Sequence, residues 1–328
     1  VILLRPDAAG IREAGKALRE GRLVALPTET VYGLGANALD EGALARVFAA
    51  KDRPTFDPLI VHVADPQDAE ALADLDSGPA RAFAEAFWPG PLTLVLPRRG
   101  PVPDLATSGL PTVAIRCPDH PVARAVIREA GVPVAAPSAN PFGRLSPTRA
   151  EHVIQGLGDR IDYIVDGGPC PVGVESTVVD CSEAPPLVLR PGGLPVESLR
   201  GVVPALEVYD RSTASPRAPG QLPSHYAPRA PLRLVPAGAL PSSPASSGAA
   251  ALSFGAASRD AASASGRYSV VRCLSEAGDP VEAASRLFSL LHEFDREGVP
   301  EIWAELLPEE GLGRAVNDRL RKASKAER

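Results

Sequence analysis

Between residues 23 and 179, short apolar runs keep returning, each closed by proline, glycine or a polar turn. Leu23-Val24-Ala25-Leu26 runs into Pro27, Leu59 to Val63 follows Pro58, and Leu92 to Leu96 lies between Pro91 and Pro97. Runs of this length and composition read as buried strands. Further strands are expected at 112–116, 134–136, 163–166 and 176–179. The intervening stretches carry helical patterns at 8–20, 41–50, 68–72, 79–86, 121–130 and 149–155. That alternation predicts an α/β domain.

At 328 residues the chain is long enough for two domains. The first is expected to occupy residues 1–205. Residues 206–232 read as a linker, because Arg211 to Gly220 is rich in turn formers and lacks periodicity. A second, smaller α/β domain is expected over 233–328. Its strands fall at 232–235 and 250–254, and an amphipathic helix at 280–297 stripes Ala284, Leu287, Leu290, Leu291 and Phe294 along one side.

Net charge is −6, all of it in the first 205 residues, which hold 19 basic and 25 acidic side chains. A protein that grips nucleic acid through its phosphates normally carries a basic surplus, so this balance favours a small-molecule site. No apolar run approaches membrane-spanning length, and the first residues lack a basic region followed by an apolar stretch and cleavage site. The expected compartment is the cytoplasm. Cys117, Cys170, Cys181 and Cys273 form no Cys-x-x-Cys pair and are expected to be buried thiols; with five scattered histidines they offer no metal-ligand pattern.

Chemistry concentrates in three segments. Pro27-Thr28-Glu29-Thr30-Val31-Tyr32-Gly33-Leu34-Gly35 follows a strand, placing hydroxyls, a carboxylate and a phenol at a sheet edge, where open α/β sheets bind ligands. Lys51-Asp52-Arg53-Pro54 sets two cations within three positions, in a chain with only four lysines. Where arginine is the default, a retained ammonium suits a compact contact to phosphate, with the arginine fork beside it. Ala136-Pro137-Ser138-Ala139-Asn140, followed by Gly143, Ser146 and Thr148, is a turn whose amides and hydroxyls can hold phosphate. There is no Gly-x-x-x-x-Gly-Lys-Ser/Thr loop and no Gly-x-Ser-x-Gly elbow.

In that order the three segments resemble the YrdC-like fold of the L-threonylcarbamoyl-adenylate synthases. Phe87-Trp88-Pro89-Gly90-Pro91-Leu92-Thr93, Val113 to Arg116, Glu175 to Asp180 and Leu189-Arg190-Pro191-Gly192 extend the resemblance through the first domain. His225-Tyr226-Ala227-Pro228 and Gly311 to Leu320 resemble the long, two-domain form. The resemblance implies a twisted, mixed open sheet with flanking helices, a linker that lies as a lid over the active site, and a smaller Rossmann-like domain.

It also implies a reaction: L-threonine, bicarbonate and ATP, with Mg2+, give threonylcarbamoyl-AMP and pyrophosphate. That product would feed a threonylcarbamoyl transferase machinery acting on tRNA. By motif, Thr30, His62, Arg116, Ser138 and Ser176 would contact threonine. Arg53, Asp57, Thr112, Asn140, Ser146, Thr148 and Arg190 would surround ATP, with Lys51 at the phosphates and Tyr226 reaching in from the linker. Lys51 and Arg53 would carry the catalysis. Two departures stand out: Asp57 occupies a position where the family pattern suggests asparagine, and Pro219 to Ser224 lacks the basic residue usual before His-Tyr. Asp57 could meet a ribose hydroxyl or magnesium, or repel phosphate. The rival reading is a non-catalytic RNA-binding module of the same fold. Carbamoyl transfer in hydrogenase maturation would need acylphosphatase and zinc-finger segments, which this sequence does not contain.

Overall fold

The computed structural model describes residues 1–209 and 216–326. The chain divides into two compact units. One comprises Val1–Phe142, Ser146–Pro171 and Glu175–Leu222; the other comprises Gly143–Leu145, Val172–Val174 and Pro223–Arg328.

The first unit begins with β1 (Ile2–Leu4), α1 (Ala8–Arg19), β2 (Val24–Leu26), β3 (Gly33–Asn37), α2 (Glu41–Lys51) and β4 (Ile60–His62). It continues with α3 (Ala80–Phe87), β5 (Leu92–Pro97), α4 (Asp104–Thr107), β6 (Thr112–Arg116), α5 (Pro121–Ala130) and β7 (Val134–Ala135). It ends with α6 (Ala150–Leu157), β8 (Tyr163–Val165), β9 (Thr177–Asp180), β10 (Leu187–Arg190), α7 (Val196–Val202) and β11 (Glu207–Val208). The eleven strands form one mixed sheet in the order β1-β8-β2-β3-β7-β4-β6-β5-β9-β10-β11.

The alternation of side chains along each strand explains where the site lies. Val61, Leu94, Ile115, Val179 and Val188 point to one face, where they pack with Phe83, Ala84 and Leu199 of α3 and α7 in the largest core cluster. Their neighbours Ile60, Val95, Ala114, Val178 and Leu189 form a small cluster on the opposite face, joined by Ala218. Continuing that second row along the strands brings His62, Arg116 and Thr93 to the same face. A face with so little apolar cover leaves room for polar chemistry.

Two differences from the sequence expectations have local causes. Gly33 to Asn37 is a strand, paired with β2 and β7, although its glycines read as part of a turn. A Cβ on Gly33 would stand 3.1 Å from Ala136 Cβ, so the close seating of the neighbouring segment favours glycine. Within the expected linker, Glu207 and Val208 pair with β10, and residues 216–222 belong to the first unit; 210–215 lie outside the described residues.

The second unit holds β12 (Leu232–Val235), β13 (Ala250–Ser253), α8 (Ala256–Ala264), β14 (Val270–Cys273), α9 (Pro280–Glu297), β15 (Ile302–Glu305) and α10 (Gly313–Ser324). Its sheet is parallel throughout, in the order β12-β15-β13-β14, which is a Rossmann-like arrangement. Asp279 caps the start of α9, its carboxylate accepting from Val281 N at 2.9 Å, and Gly298 closes the helix at φ 68°. The apolar stripe from Ala284 to Phe294 is buried. Among the described residues no helix is long and apolar enough to cross a membrane, and all four cysteines are buried free thiols.

Candidate active site

The β2–β3 hairpin loop is tied off by one hydroxyl. Thr28 Oγ1 accepts from the amides of Thr30 and Val31, each at 3.2 Å, and donates to Val31 O at 2.6 Å. This holds Thr30 Oγ1 2.8 Å from Thr28 Oγ1 and within reach of Arg116, whose Nη1 donates to it at 2.9 Å. The other arm of Arg116 lies 2.6 Å from Glu29 Oε1, an ion pair in which both side chains are buried. His62 stands opposite Arg116 in the β4–β6 register. Its Nδ1 lies 3.2 Å from Ile60 O, and burial, with the Arg116 charge second, pushes the imidazole down to about 3. It is therefore neutral at ordinary pH.

Ser176 and Arg190 extend this cluster. Ser176 Oγ is 2.8 Å from Thr93 Oγ1. Arg190 donates to Ser176 O from Nε at 3.2 Å and from Nη2 at 2.9 Å, and to Ser176 Oγ at 3.1 Å. A third arm, Nη1, reaches Pro219 O at 3.1 Å. The turn after β10 packs so closely that a Cβ on Gly192 would fall 2.3 Å from Glu175 O and 2.4 Å from Ser176 C.

The Lys-x-Arg segment takes its shape from the end of α2. Lys51 is the last helical residue, and Asp52 adopts the left-handed conformation at φ 52° that turns the chain away. The Lys51 ammonium is 1% exposed and donates to the carbonyls of Ser138 and Asn140. It thereby joins two motifs that lie 87 and 89 residues apart in sequence. Burial, with Arg53 second, holds its pKa well below the usual lysine value. Arg53 wraps the next loop: Nε donates to Asp57 O at 3.1 Å, Nη2 to Pro58 O at 2.8 Å, and Nη2 lies 2.9 Å from Asp57 Oδ2. Asp57 is fully buried, and burial pushes its carboxyl upward against the charges of Arg53, Lys51 and Arg190. Three cations around one carboxylate leave a positive excess suited to a polyphosphate.

The remaining expected residues have these surroundings. Ser138 bridges Gly33 of the neighbouring strand. The Asn140 amide donates to Pro141 O at 2.9 Å. Ser146 Oγ bonds Glu175 Oε1. Thr148 N and Oγ1 lie 3.3 and 3.5 Å from His152 Nδ1, and Thr112 opens β6 on the His62 side of the sheet, half-buried. Tyr226 belongs to the second unit. There it is 1% exposed at φ 63°, with the Arg319 guanidinium 5.0 Å from its ring centre and Phe288 at 5.9 Å. Sequence reasoning did not single out Thr28, Glu29, Thr93 or Glu175 as site residues. Each nevertheless stands next to or within one of the sequence motifs.

The threonylcarbamoyl-AMP synthase of Pyrococcus abyssi is 46% identical over 319 residues, spanning 96% of this chain and 94% of that one. The chain belongs to the threonylcarbamoyl-AMP synthase family. The family's enzyme from Bacillus subtilis is 42% identical over 328 residues, spanning 96% and 92%. The family model described as "Telomere recombination" matches residues 16–192, and the one described as "Threonylcarbamoyl-AMP synthase, C-terminal domain" matches 194–325. A crystal structure of P. abyssi Sua5 complexed with L-threonine is similar with a TM-score of 0.85 at 40% identity, covering 98% of this chain and 97% of that one.

Proposed function

We propose that this chain condenses L-threonine, bicarbonate and ATP into L-threonylcarbamoyladenylate and pyrophosphate. The observation that carries this reading is the contact between Ser176 and Arg190. It joins a cluster suited to a small amino acid, Thr30, His62, Arg116 and Ser176, to the cations that act on Asp57. Membership of the threonylcarbamoyl-AMP synthases supports the reaction, and the L-threonine complex of the P. abyssi protein supports the amino acid.

In this proposal Arg116 pairs with the threonine carboxylate, and the neutral His62 and Thr30 meet its hydroxyl. The threonine amine joins the carbon of bicarbonate to give a carbamate. A carbamate oxygen then attacks the α-phosphorus, forming the new P–O bond as the bond to the β-phosphate oxygen breaks and pyrophosphate leaves. Such a step is accelerated by positioning and charge neutralisation. Lys51, Arg53 and Arg190 supply positive charge along the phosphates. Asn140, Ser146 and Thr148 complete the proposed nucleotide set, with Thr112 at its edge.

Mg2+ is proposed to arrive on the triphosphate, because no group of three or more His, Cys, Asp or Glu side chains among the described residues is placed to hold a metal. Bound there, it supplies further charge neutralisation. The linker is proposed as a lid, on the support that Ala218 packs against Val178 and Leu189 while Pro219 O accepts from Arg190. The product is proposed to serve a threonylcarbamoyl transferase in tRNA modification, in the cytoplasm.

The test is pyrophosphate release from Mg-ATP with threonine and bicarbonate each omitted in turn. Release that requires both is expected. No release from the complete mixture would overturn the reading and favour the RNA-binding module.

A further inference from the structure

Carbamate formation releases a proton. Threonine enters as an ammonium, and its conversion with bicarbonate gives carbamate, water and one proton. Resting on the reaction proposed above, we propose that Glu29 is a further catalytic residue: its carboxylate receives that proton.

Glu29 is 6% exposed, in the hairpin loop between Thr28 and Thr30. Buried carboxylate oxygens normally accept hydrogen bonds, yet neither oxygen of Glu29 does so. Its contact with Arg116 Nη2 at 2.6 Å is an ion pair without hydrogen-bond alignment, so both oxygens keep lone pairs open to a further donor. An amino acid carries its ammonium one carbon from its carboxylate. A guanidinium beside a carboxylate offers the complementary pair: Arg116 takes the substrate carboxylate and Glu29 meets the ammonium.

The groups facing Glu29 are a cation, two thiols and two imidazoles, and Glu29 is the one ion-paired to the guanidinium assigned to the substrate carboxylate. Burial pushes the Cys117 and Cys170 thiols up to about 12, so neither is a thiolate at neutral pH. His120 is pushed down by partial burial, against the attraction of Glu29 and Asp119. His62, beside Arg116, is held at about 3, too weak a base to compete.

The step balances as follows. One N–H bond of the ammonium breaks and its proton passes to a Glu29 oxygen, leaving the amine lone pair. That pair forms the C–N bond to the carbon of bicarbonate. The second proton leaves nitrogen with the departing hydroxide as water, and the carbamate keeps one negative charge. Glu29 later returns its proton to solvent.

The experiment compares Glu29→Gln with the wild type in both directions. Forward, pyrophosphate release from threonine, bicarbonate and Mg-ATP is expected to fall about 100-fold near neutral pH, the scale of a lost general base. It should then recover by roughly tenfold per pH unit as solvent takes over the proton, a steeper rise than the wild type shows. Backward, ATP formation from threonylcarbamoyl-AMP and pyrophosphate crosses the same barriers in reverse and should fall in parallel at a given pH. A loss of the same size at every pH would make Glu29 a support for Arg116 and overturn the proposal, as would an unchanged rate. Should Glu29→Gln fail to fold, Glu29→Asp decides: a smaller loss that lessens toward high pH is expected, and a loss independent of pH overturns it. A wild type that releases no pyrophosphate would instead sink the reaction itself.

Discussion

His62 on β4 stands in register with Arg116 on the parallel neighbour β6, so a neutral imidazole and a permanent cation share one polar face. The pairing has a consequence for acid stability. His62 is pushed from 6.5 to about 3 in the folded chain, by burial first and Arg116 second. Above about pH 6.5 it is neutral in both states and contributes no pH dependence. Between about 6.5 and 3 the unfolded chain binds a proton that the folded chain refuses, so stability falls as pH falls, by up to about 1.4 kcal/mol per pH unit. Urea unfolding between pH 7 and 5 should show this slope, and His62→Gln should flatten it. An unchanged slope in the variant would assign the acid sensitivity elsewhere.

Lys51 should resist replacement even by arginine. Its ammonium fits a site 1% exposed between two carbonyls, and a guanidinium is too large and too flat to make the same contacts. Lys51→Ala is expected to cost about 1–3 kcal/mol, through the two carbonyls left without their donor. Pyrophosphate release by the folded fraction should fall at least about 100-fold. If Lys51 were only a clamp on the turn, the melting temperature would fall while kcat per folded molecule held.

Much of the fold and part of the site could be read from the chain. Strands such as Leu92 to Pro97 announce themselves because apolar runs bounded by proline have few other uses. Lys51 and Ser138 belong to motifs that the sequence groups, and the Lys51 ammonium joins those motifs through the Ser138 and Asn140 carbonyls. Glu29 escapes selection for a physical reason: a carboxylate in a turn looks solvated until the register of β6 brings Arg116 beside it. The strand Gly33 to Asn37 is hidden for a related reason, since its glycines are explained only by the close neighbouring backbone.

The Arg53–Asp57 pair predicts unequal effects from its two halves. Arg53→Ala strands a fully buried carboxylate and should cost about 3–5 kcal/mol. Asp57→Asn keeps the shape, removes the charge and leaves the neighbouring cations less compensated. It should therefore be less damaging to stability and should lower the KM for ATP. A raised KM for ATP in Asp57→Asn would show that the carboxylate serves the nucleotide directly, through ribose or magnesium.

Gly192 tests how tightly the Ser176 backbone must be held. A methyl there would overlap the Glu175 carbonyl and the Ser176 carbonyl carbon, neither of which can rotate away. Gly192→Ala should cost about 1–3 kcal/mol and displace Ser176 from Arg190. Gly33→Ala has its tightest contact with the Ala136 methyl at 3.1 Å and should be milder. Melting temperatures of the two variants, side by side, check the order.

The second unit should hold no nucleotide of its own. Ligands of open parallel sheets settle at the carboxyl ends of the strands, where amides converge. Here that place is taken by Glu305 at the end of β15, 2% exposed. Its carboxylate accepts from Gly238 N, from Phe254 N at 3.0 Å and from Ser258 Oγ at 2.6 Å, at the entrance to α8. A side chain already in that position excludes a phosphate by both charge and volume. Equilibrium dialysis of the full chain with ATP should give one nucleotide per chain. Glu305→Gln weakens charge-assisted hydrogen bonds, so it should lower stability by about 1–3 kcal/mol without changing that ratio. A second nucleotide in the wild type would show that Glu305 yields its place to a ligand.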